Sequence, residues 1–291
     1  MARPLVRDEE GLSTLWSFVG VLILILAILG VYFGYVVPKF PPPPLRALAG
    51  DTVQVDYIGT FQNDLVFDTS LESVATDNAS YPKALTFSWR SSWDPLPFTI
   101  GTGSVVPGFD LGVQGLAEGE AKTVVVPPDQ GYGLADPTKV FIKPLLESVP
   151  VRLTMNASGF AAVYHTDAVG GSNVTDPLWG WTATVGVAGS IVTVTNSPSP
   201  GEIVRPHGLW DARVLSIDDG ADGGIGRIQV QHLLTAESVD RVGRRLPSGR
   251  VEFVVTAVDP AAGTYTLDFN DPVRGRTLVF QVTMVHIVRQ F

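Results

Sequence analysis

The chain has 291 residues, of which 45% are hydrophobic, and a formal net charge of −9 at pH 7; this length is enough for one large or two ordinary domains with buried cores. The acidic balance argues against nucleic acid as a partner, and the absence of cysteine excludes disulfides, thiolate metal sites and a thiol nucleophile. The four histidines include no pair at i, i+4 spacing, so we expect neither a metal site nor a cofactor.

The first predicted element is an apolar helix near the N-terminus. No charged residue occurs between Gly11 and Pro38, and this run is longer than the roughly 20 residues that cross a bilayer as a helix. We therefore predict a transmembrane helix that anchors the chain in the cell membrane as a single-pass protein. The alternative is a cleaved signal peptide, but the apolar core of a signal peptide is shorter, about 7–15 residues.

The charges that flank this helix do not decide its orientation, because two basic side chains precede it and two follow it before the next predicted strand. Three N-glycosylation acceptor sequences lie in the rest of the chain, beginning at Asn78, Asn156 and Asn173. They favour an extracytoplasmic location for the part of the chain that follows the helix.

The next elements change from helical to strand periodicity. Four consecutive prolines within residues 38–48 predict a stiff, extended stalk. Val53, Val55 and Tyr57 then alternate with polar neighbours, which is typical of a half-buried strand. Further strands are predicted at residues 85–89, 97–100, 121–126 and 277–288, and a short helix at residues 105–111. The predicted fold class is therefore α+β, with antiparallel strands around one short helix.

The region between Leu134 and about Asn270 is rich in Gly, Val and Thr and predicts an inserted, mainly β domain. Within it, Trp181–Gly201 and Val251–Gly275 share a strand, a turn, a second strand and an Asn-x-Pro-x-x-Gly motif or a close variant. This layout indicates either an ancestral duplication or the general similarity of β-hairpins, and the sequence leaves both open. Insertion at a surface loop is tolerated when the two ends of the host stay close together.

Several motifs in residues 50–133 occur at the spacings of one small enzyme domain: GDTVQVDYIGTF, LVFDTS, FTIGTGSVVPGFDLGVQGLAEGE and TVVVPPDQGYG. A fragment of the same pattern, NDPVRGRTLVFQVTMVHI, occupies Asn270–Ile287. Together they resemble an FKBP-type peptidyl-prolyl cis-trans isomerase. The resemblance implies an FKBP-like antiparallel sheet wrapped on a short helix, interrupted after Tyr132-Gly133 and closed by the last strand.

In the SlyD-like branch of this family, the same loop carries an inserted chaperone module called the insert-in-flap domain. The resemblance therefore implies a prokaryotic-type member with an enlarged insertion. The predicted segments are an N-terminal tail (1–11), a transmembrane helix (12–37), a Pro-rich stalk (38–48), the first part of the isomerase domain (49–135), the insertion (136–269) and the closing part of the isomerase domain (270–291).

The implied activity is rotation about X-Pro peptide bonds (EC 5.2.1.8), with unfolded or proline-containing polypeptides as clients. Amide resonance gives this rotation a barrier of about 18–20 kcal/mol. A catalyst needs an apolar pocket for the pyrrolidine ring, a desolvated wall that disfavours the planar amide and donors that hold the twisted peptide. It needs no nucleophile and no metal.

The resemblance also implies the residues of the pocket. Tyr132 corresponds to a tyrosine that donates a hydrogen bond to the bound peptide, and Phe109 to a tryptophan that forms the pocket floor in many relatives. Asp68 is expected to pair with hydroxyls or a basic neighbour. Leu96 replaces an aromatic residue, and the longer segment 71–97 predicts a reshaped wall. The implied catalytic residues are Tyr57, Phe67, Asp68, Val105, Val106, Phe109, Tyr132 and Phe280.

We predict a membrane-anchored isomerase that assists the folding of exported or membrane proteins, with a client-binding insertion. Two alternatives stay open: an FKBP scaffold that holds chains with little or no catalysis, and a surface binding module in which the insertion is the working part. A basic cluster is interpreted either as a solvated face or as a contact for lipid headgroups or acidic clients. Its arginines are at positions 241, 244, 245, 250, 274 and 276.

Overall fold

The computed structural model describes residues 9–36 and 43–289. Two compact units are present, Met1–Leu45 and Arg46–Phe291. Residues 1–8 of the predicted tail and residues 38–42 of the predicted stalk lie outside the described residues.

The first unit contains one long helix, α1 (Glu9–Val31), which continues into a π-helical turn, Tyr32–Val36. Its segment Thr14–Tyr35 is long and apolar enough to cross a membrane, with a mean hydropathy of 2.6. A helix that is apolar on all sides needs an apolar environment around it. Its length and composition fit either a membrane span or a signal sequence.

The second unit is built mainly from strands. In chain order these are β1 (Thr52–Thr60), β2 (Val66–Thr69), β3 (Leu96–Thr99), β4 (Ala121–Val126), β5 (Val140–Pro144), β6 (Leu146–Pro150), β7 (Arg152–Asn156), β8 (Asn173–Thr175), β9 (Thr182–Ala188), β10 (Ile191–Asn196), β11 (Ile203–Val204), β12 (Ala212–Asp218), β13 (Arg227–His232), β14 (Gly243–Arg245), β15 (Val251–Asp259), β16 (Thr264–Asp268) and β17 (Leu278–Val288). The helices are α2 (Glu72–Thr76), α3 (Pro107–Val113) and α4 (Ala157–Tyr164), with a further helical turn at Ala221–Gly224.

The last strand lies in the middle of the main sheet, which has the order β2-β1-β17-β4, with β3 also paired to β1. All of these pairs are antiparallel. β17 runs along the whole of β1, from Thr52 opposite Val288 to Thr60 opposite Val279. The apolar face of this sheet and α3 share one buried core, to which α3 contributes Phe109 and Val113.

The segment between β4 and β17 forms three further sheets of four strands each, in the orders β5-β16-β15-β14, β6-β13-β12-β11 and β7-β10-β9-β8. Each sheet is an antiparallel meander of three consecutive strands, and one strand of the run β5–β6–β7 pairs beside the last strand of that meander. The chain therefore passes outward through all three sheets and returns through them in reverse order.

Two asparagines, Asn270 and Asn196, each connect the outgoing and the returning chain of the insertion. We call the first of these connections, between Asp136 and Asn270, the neck of the insertion. Where the segment leaves the main sheet, the Asn270 side chain accepts from the Asp136 N–H at 2.9 Å and donates to the Asp136 carbonyl at 3.1 Å. Further out, the Asn196 amide donates to the Pro150 carbonyl at 3.1 Å. Both asparagines begin the motifs shared by the two similar hairpins, so the shared motif has a shared structural role. The duplication itself stays a prediction.

The predicted strand at Leu85–Trp89 is wrong, because this segment forms a turn followed by irregular chain. Its backbone groups have tertiary partners: the Leu85 N–H donates to the Asp240 carbonyl at 2.7 Å, and Arg245 donates to the Phe87 carbonyl at 3.0 Å. The Phe87 side chain is buried in a small separate core with Ile58 and Val66. Of the three alternating apolar residues only Phe87 is buried, and Trp89 is 65% exposed, so the alternation here marks neither a strand nor one buried face.

Candidate active site

One cavity of about 240 Å³ lies between the main sheet, α3 and the turn after β4. The structure brings together in it all eight residues that the sequence assigned to the pocket. Their catalytic role stays a prediction. The lining residues are Tyr57, Phe67, Asp68, Arg90, Leu96, Ser104, Val105, Val106, Phe109, Tyr132 and Phe280.

Aromatic rings in edge-to-face contact form the floor. The ring centroids of Phe109 and Phe280 are 5.0 Å apart at an interplanar angle of 80°. Those of Tyr57 and Phe109 are 6.0 Å apart at 81°, and those of Phe67 and Phe280 are 5.7 Å apart at 84°. Such pairs add favourable energy beyond the burial of their surface and hold each ring in one orientation. The floor is therefore apolar and well ordered.

The strand register puts two of these rings on the core face. Gly59 lies opposite Phe280, and Tyr57, two residues before Gly59, points to the same face. A Cβ atom on Gly59 would lie 2.8 Å from Phe67 Cζ and 3.0 Å from Phe280 Cε1. Glycine at position 59 therefore allows the rings of Phe67 and Phe280 to pack directly over the strand.

The helix α3 brings Phe109 to the floor because it lies close to β4. A Cβ atom on Gly112 would lie 2.3 Å from Val124 Cγ1, so this helix face needs glycine. The predicted start of the helix at residue 105 is two residues too early. Pro107 occupies the first helical turn and disfavours helical dihedrals at the residue before it; Val106 accordingly has φ −62° and ψ 142°.

A polar cluster of Tyr57, Asp68 and Arg90 forms the rim on one side. The Tyr57 hydroxyl donates to Asp68 Oδ2 at 2.6 Å, and Arg90 Nη2 donates to both carboxylate oxygens at 2.7 and 2.8 Å. The Arg90 guanidinium also contacts the Tyr57 hydroxyl and lies 5.6 Å from the centroid of its ring. Burial, and then the Asp68 carboxylate, raise the pKa of the Tyr57 hydroxyl, which therefore stays protonated. Both carboxylate oxygens of Asp68 are used in these hydrogen bonds, which hold the Tyr57 side chain in one orientation.

Tyr132 forms the opposite rim in a different way. It lies within a tight turn in which the Gly133 N–H donates to the Pro128 carbonyl at 2.8 Å. Its side chain is 49% exposed, and its hydroxyl has no hydrogen-bond partner among the described residues. Burial of the rest of the ring, then Asp68 and Asp271, raise the pKa of this hydroxyl. At neutral pH it is a protonated donor that is free to bind a ligand.

Part of the chain matches a known protein family. The family model described as FKBP-type peptidyl-prolyl cis-trans isomerase matches residues 44–145. The "Short-type peptidyl-prolyl cis-trans isomerase" of Methanocaldococcus jannaschii is 35% identical over 108 residues, which is 37% of this chain and 60% of that protein. The chain carries an FKBP-type domain.

Two further matches cover a similar share of the chain. The "FK506-binding protein 2" of Yarrowia lipolytica is 34% identical over 88 residues, which is 30% of this chain and 48% of that protein. The crystal structure of AtFKBP13 aligns at 26% identity over 33% of this chain and 66% of its own, with a TM-score of 0.23. This chain thus spans between 48% and 60% of the length of the two curated relatives.

The FKBP-like fold, with antiparallel sheets and additional strand-rich regions, is confirmed. The family match ends at residue 145, whereas the central strand β17 begins at Leu278. That strand carries Phe280 and pairs with both β1 and β4. The FKBP-type domain is therefore completed in space by a strand that lies far outside the matched residues.

The sequence patterns did not identify Arg90 or Ser104 as pocket residues. Arg90 lies 22 positions after its partner Asp68, in the segment that is longer than the family pattern. Its neighbours Trp89 and Trp93 are in edge-to-face contact with ring centroids 6.0 Å apart. An irregular segment has no periodicity that would show which of its side chains turns inward. The one available signal was the isolated basic residue between two tryptophans.

Among the described residues, no group of three or more His, Asp or Glu side chains is arranged to hold a metal ion. The pocket itself contains one carboxylate, and Arg90 and Tyr57 bind both of its oxygens.

Proposed function

We propose that this protein is a peptidyl-prolyl cis-trans isomerase that acts on proline-containing polypeptides. The observation that carries the proposal is the cavity itself: an apolar floor of edge-to-face rings beside a tyrosine hydroxyl that has no hydrogen-bond partner among the described residues. The volume of about 240 Å³ fits a pyrrolidine ring and the adjoining amide. The match of residues 44–145 to the isomerase family supports the same activity.

The proposed mechanism is non-covalent. The proline ring enters the apolar floor formed by Phe109 and Phe280, and the desolvated wall disfavours the dipolar planar amide relative to the twisted one. The Tyr132 hydroxyl donates a hydrogen bond to a carbonyl of the bound chain. Interactions that are stronger with the twisted amide than with the planar one lower the barrier, which is about 18–20 kcal/mol in free peptides. Asp68 and Arg90 fix the position of the Tyr57 ring.

The direct test is NMR exchange spectroscopy of a blocked Ala-Pro peptide with the full chain in detergent. We expect faster cis-trans exchange, and loss of this acceleration when Tyr132 and Phe280 are both changed to Ala in a protein that stays folded. No acceleration by the folded wild-type protein would contradict isomerase activity. The FKBP-type domain would then be a binding scaffold.

We further propose that α1 anchors the protein in the cell membrane, with the second unit on the extracytoplasmic side. The apolar segment Thr14–Tyr35 supports the anchor, and the three glycosylation acceptor sequences support the orientation. Mature protein that retains residue 14 and stays in the membrane after carbonate extraction would support the anchor. A mature chain that begins after residue 36 would show a signal sequence instead. Resistance of the second unit to protease in intact cells would contradict the orientation.

The inserted region is proposed to hold clients, as in a SlyD-like protein. The specific observation is a group of exposed apolar side chains near the neck of the insertion, Leu134, Phe141, Ile142 and Phe269, with exposed fractions of 73%, 45%, 71% and 37%. A holding site beside the pocket, on a tethered protein, raises the local concentration of client chains. Suppression of the aggregation of a reduced, unfolded client, retained in the Tyr132 and Phe280 double variant, would support a separate holding activity.

A further inference from the structure

A second cavity, of about 410 Å³, lies between the FKBP-type domain and the innermost sheet of the insertion. We call it the junction cleft. The FKBP-type domain contributes Phe67, Thr86 and Ser88 to its lining. The insertion contributes the basic residues Lys139, Arg245 and Arg250, and the returning chain at Asn270–Val273 closes one end.

The junction cleft adjoins the candidate active site. Phe67 lines both cavities, so one side chain separates them. A polypeptide whose proline occupies the pocket therefore has this cleft beside it. An extended chain advances about 3.3 Å per residue, so residues a few positions from the proline are within reach of the cleft.

The charge of the junction cleft is opposite to that of the whole chain. Three cations line it, Lys139, Arg245 and Arg250, against one carboxylate, Asp271, although the chain carries a net charge of −9. None of the three cations forms an ion pair with a carboxylate of the described residues. Unneutralised cations beside an apolar wall favour an anionic ligand.

These cations differ in how they are held. Arg245 donates to the Gly249 carbonyl at 2.9 Å and to the carbonyls of Leu85 and Phe87, so its position is fixed while its charge is not neutralised. The side chains of Lys139 and Arg250 make no hydrogen bond to any other described residue, and both are exposed. They are free to bind a carboxylate.

The other arginines of the basic cluster are arranged differently. Arg244 pairs with Glu252 at 3.3 Å, and Arg276 pairs with the buried Asp240. Neither lines the junction cleft. Of the six arginines in the cluster, two are neutralised by ion pairs, two (Arg245 and Arg250) line the cleft, and the other two do neither within the described residues.

A buried polar atom also lies beside the junction cleft. The Thr86 hydroxyl is inaccessible to solvent and has no hydrogen-bond partner among the described residues, and Thr86 is part of the lining. A buried hydroxyl without a partner is unfavourable. Rotation of this side chain toward an extended peptide in the cleft would supply the missing partner.

We propose that the junction cleft binds the substrate chain next to the proline and selects chains with an Asp or Glu side chain about two to four residues from it. This proposal rests on the proposed isomerase function and specifies its substrate class. Arg250 and Lys139 bind the carboxylate, Arg245 supplies a fixed positive charge, and Phe67 and Phe269 contact the apolar parts of the chain.

The test compares blocked peptides with one Ala-Pro bond that carry Glu, Lys or Ala at each position two to four residues before or after the proline. With the full chain in detergent at low salt, we expect kcat/KM for the best Glu peptide to exceed that for the matching Lys peptide by about fivefold or more. Because the groups are partly exposed, the ratio should fall toward one at about 1 M salt.

Variants assign the preference to the cleft. In Arg250→Glu the Glu to Lys ratio should fall to one or below, whereas Arg241→Ala should retain it. Arg241 is an exposed member of the same basic cluster that does not line the cleft. A ratio does not depend on the amount of folded protein, so a partly unfolded variant does not obscure the result. An unchanged ratio in Arg250→Glu would overturn the proposal.

The two proposals fail in distinguishable ways. Acceleration of the Ala peptide, with a Glu to Lys ratio of one at every position, would overturn the acidic preference and leave the isomerase function intact. No acceleration of any peptide would contradict the isomerase function. Fluorescence anisotropy of labelled Glu and Lys peptides would then test the junction cleft by binding alone. Equal affinities for the two peptides would overturn the proposed acidic preference. A preference confined to phosphoserine peptides would overturn the assignment to Asp and Glu.

Discussion

At the scale of single residues, the two tyrosines of the pocket have different roles. The Tyr57 hydroxyl is bound to Asp68 at 2.6 Å and contacts Arg90, so it is an element of the wall. The Tyr132 hydroxyl has no partner in the described part of the chain and remains available to a substrate. The difference follows from their positions, since Tyr57 lies within a central strand and Tyr132 lies in an exposed turn.

Tyr132→Phe should lower kcat/KM for an Ala-Pro peptide by about three- to tenfold, because it removes one hydrogen bond to the bound chain and little else. The thermal midpoint should be unchanged, since no hydrogen bond within the described residues is lost. Exchange spectroscopy and thermal unfolding on the same samples measure both quantities. Tyr164→Phe, on α4 of the insertion, is the matched control and should leave the exchange rate unchanged. An equal loss in both variants would contradict the role of Tyr132.

Asp51 connects the start of β1 to the chain that follows β17. Its carboxylate accepts from Arg289 at 2.8 and 2.6 Å and from the Leu48 N–H at 2.8 Å. The hydrogen bonds from Arg289, with a smaller contribution from Leu48, hold the pKa of this carboxyl below its usual value. A lowered folded-state pKa contributes stability that is present above the unfolded pKa, about 3.9, and is lost as the pH falls through the folded-state pKa.

Asp51→Asn should therefore lower the free energy of unfolding at pH 7, and the difference from wild type should shrink as the pH falls below about 4. Urea unfolding at a series of pH values measures this difference. Asp167→Asn is the control, since Asp167 is exposed and makes no hydrogen bond or ion pair within the described residues. A difference between wild type and Asp51→Asn that stays constant down to pH 2 would contradict the ionic role of Asp51.

At the scale of elements, one buried ion pair attaches the insertion to the FKBP-type domain. Asp240, which is 1% exposed, pairs with Arg276 and accepts from the Asn63 side-chain amide at 2.9 Å. The Arg276 guanidinium lies 3.9 Å from the centroid of the Phe61 ring. A buried ion pair is more often a device for specific docking than a large net source of stability, but removing one partner leaves the other charge buried alone.

Asp240→Asn should lower the free energy of unfolding by about 3 kcal/mol or more. Asparagine keeps the size of the side chain and tolerates the left-handed backbone at this position, where φ is 60°, so the effect reports the charge. Chemical denaturation gives the free energy, and hydrogen exchange should show earlier opening at β14 and β15. The matched control is Asp222→Asn, with φ 54° and an exposed ion pair to Arg227, which should change little. Similar losses in the two variants would contradict a special role for burial.

Element prediction from the sequence succeeded where the local pattern and the burial agree. The alternation of Val53, Val55 and Tyr57 marked β1, since this strand has one buried face. It failed at Leu85–Trp89, where tertiary hydrogen bonds from the insertion satisfy the backbone. It also did not anticipate that Pro107 delays the helix and leaves Val106 extended.

At the scale of the whole molecule, the insertion is a nested series of three small sheets, each with its own buried cluster. The neck between Asp136 and Asn270 holds the two ends of the host domain together. The order of the main sheet does not depend on any strand of the insertion. The insertion can therefore affect substrate choice without forming the pocket floor.

Replacing residues 137–269 by a short Gly-Ser linker should leave the exchange of an Ala-Pro peptide faster than in solution, because the pocket residues all lie outside this segment. The preference of about fivefold for Glu over Lys peptides should fall to about one. The control deletes residues 152–196 and joins Val151 to Ser197, whose neighbour Asn196 donates to the Val151 carbonyl at 2.8 Å. This removes the outermost sheet together with Trp179 and Trp181 of the middle sheet's buried cluster. It leaves the lining of the junction cleft in the chain and should retain the preference. Loss of the preference in both deletions would contradict a site at the junction cleft.

The sequence by itself determined the apolar helix, the family resemblance and, through that resemblance, eight of the residues that line the pocket, because these depend on composition, periodicity and motif spacing within short segments. The tertiary structure decided which partners meet across long separations: Arg90 with Asp68, Asp240 with Arg276, and β17 between β1 and β4. It also decided which arginines are neutralised and which face the junction cleft. Local patterns predict burial along one element, whereas these pairings join different elements, which lie 22 residues apart for Asp68 and Arg90 and are separated by the whole insertion for β4 and β17.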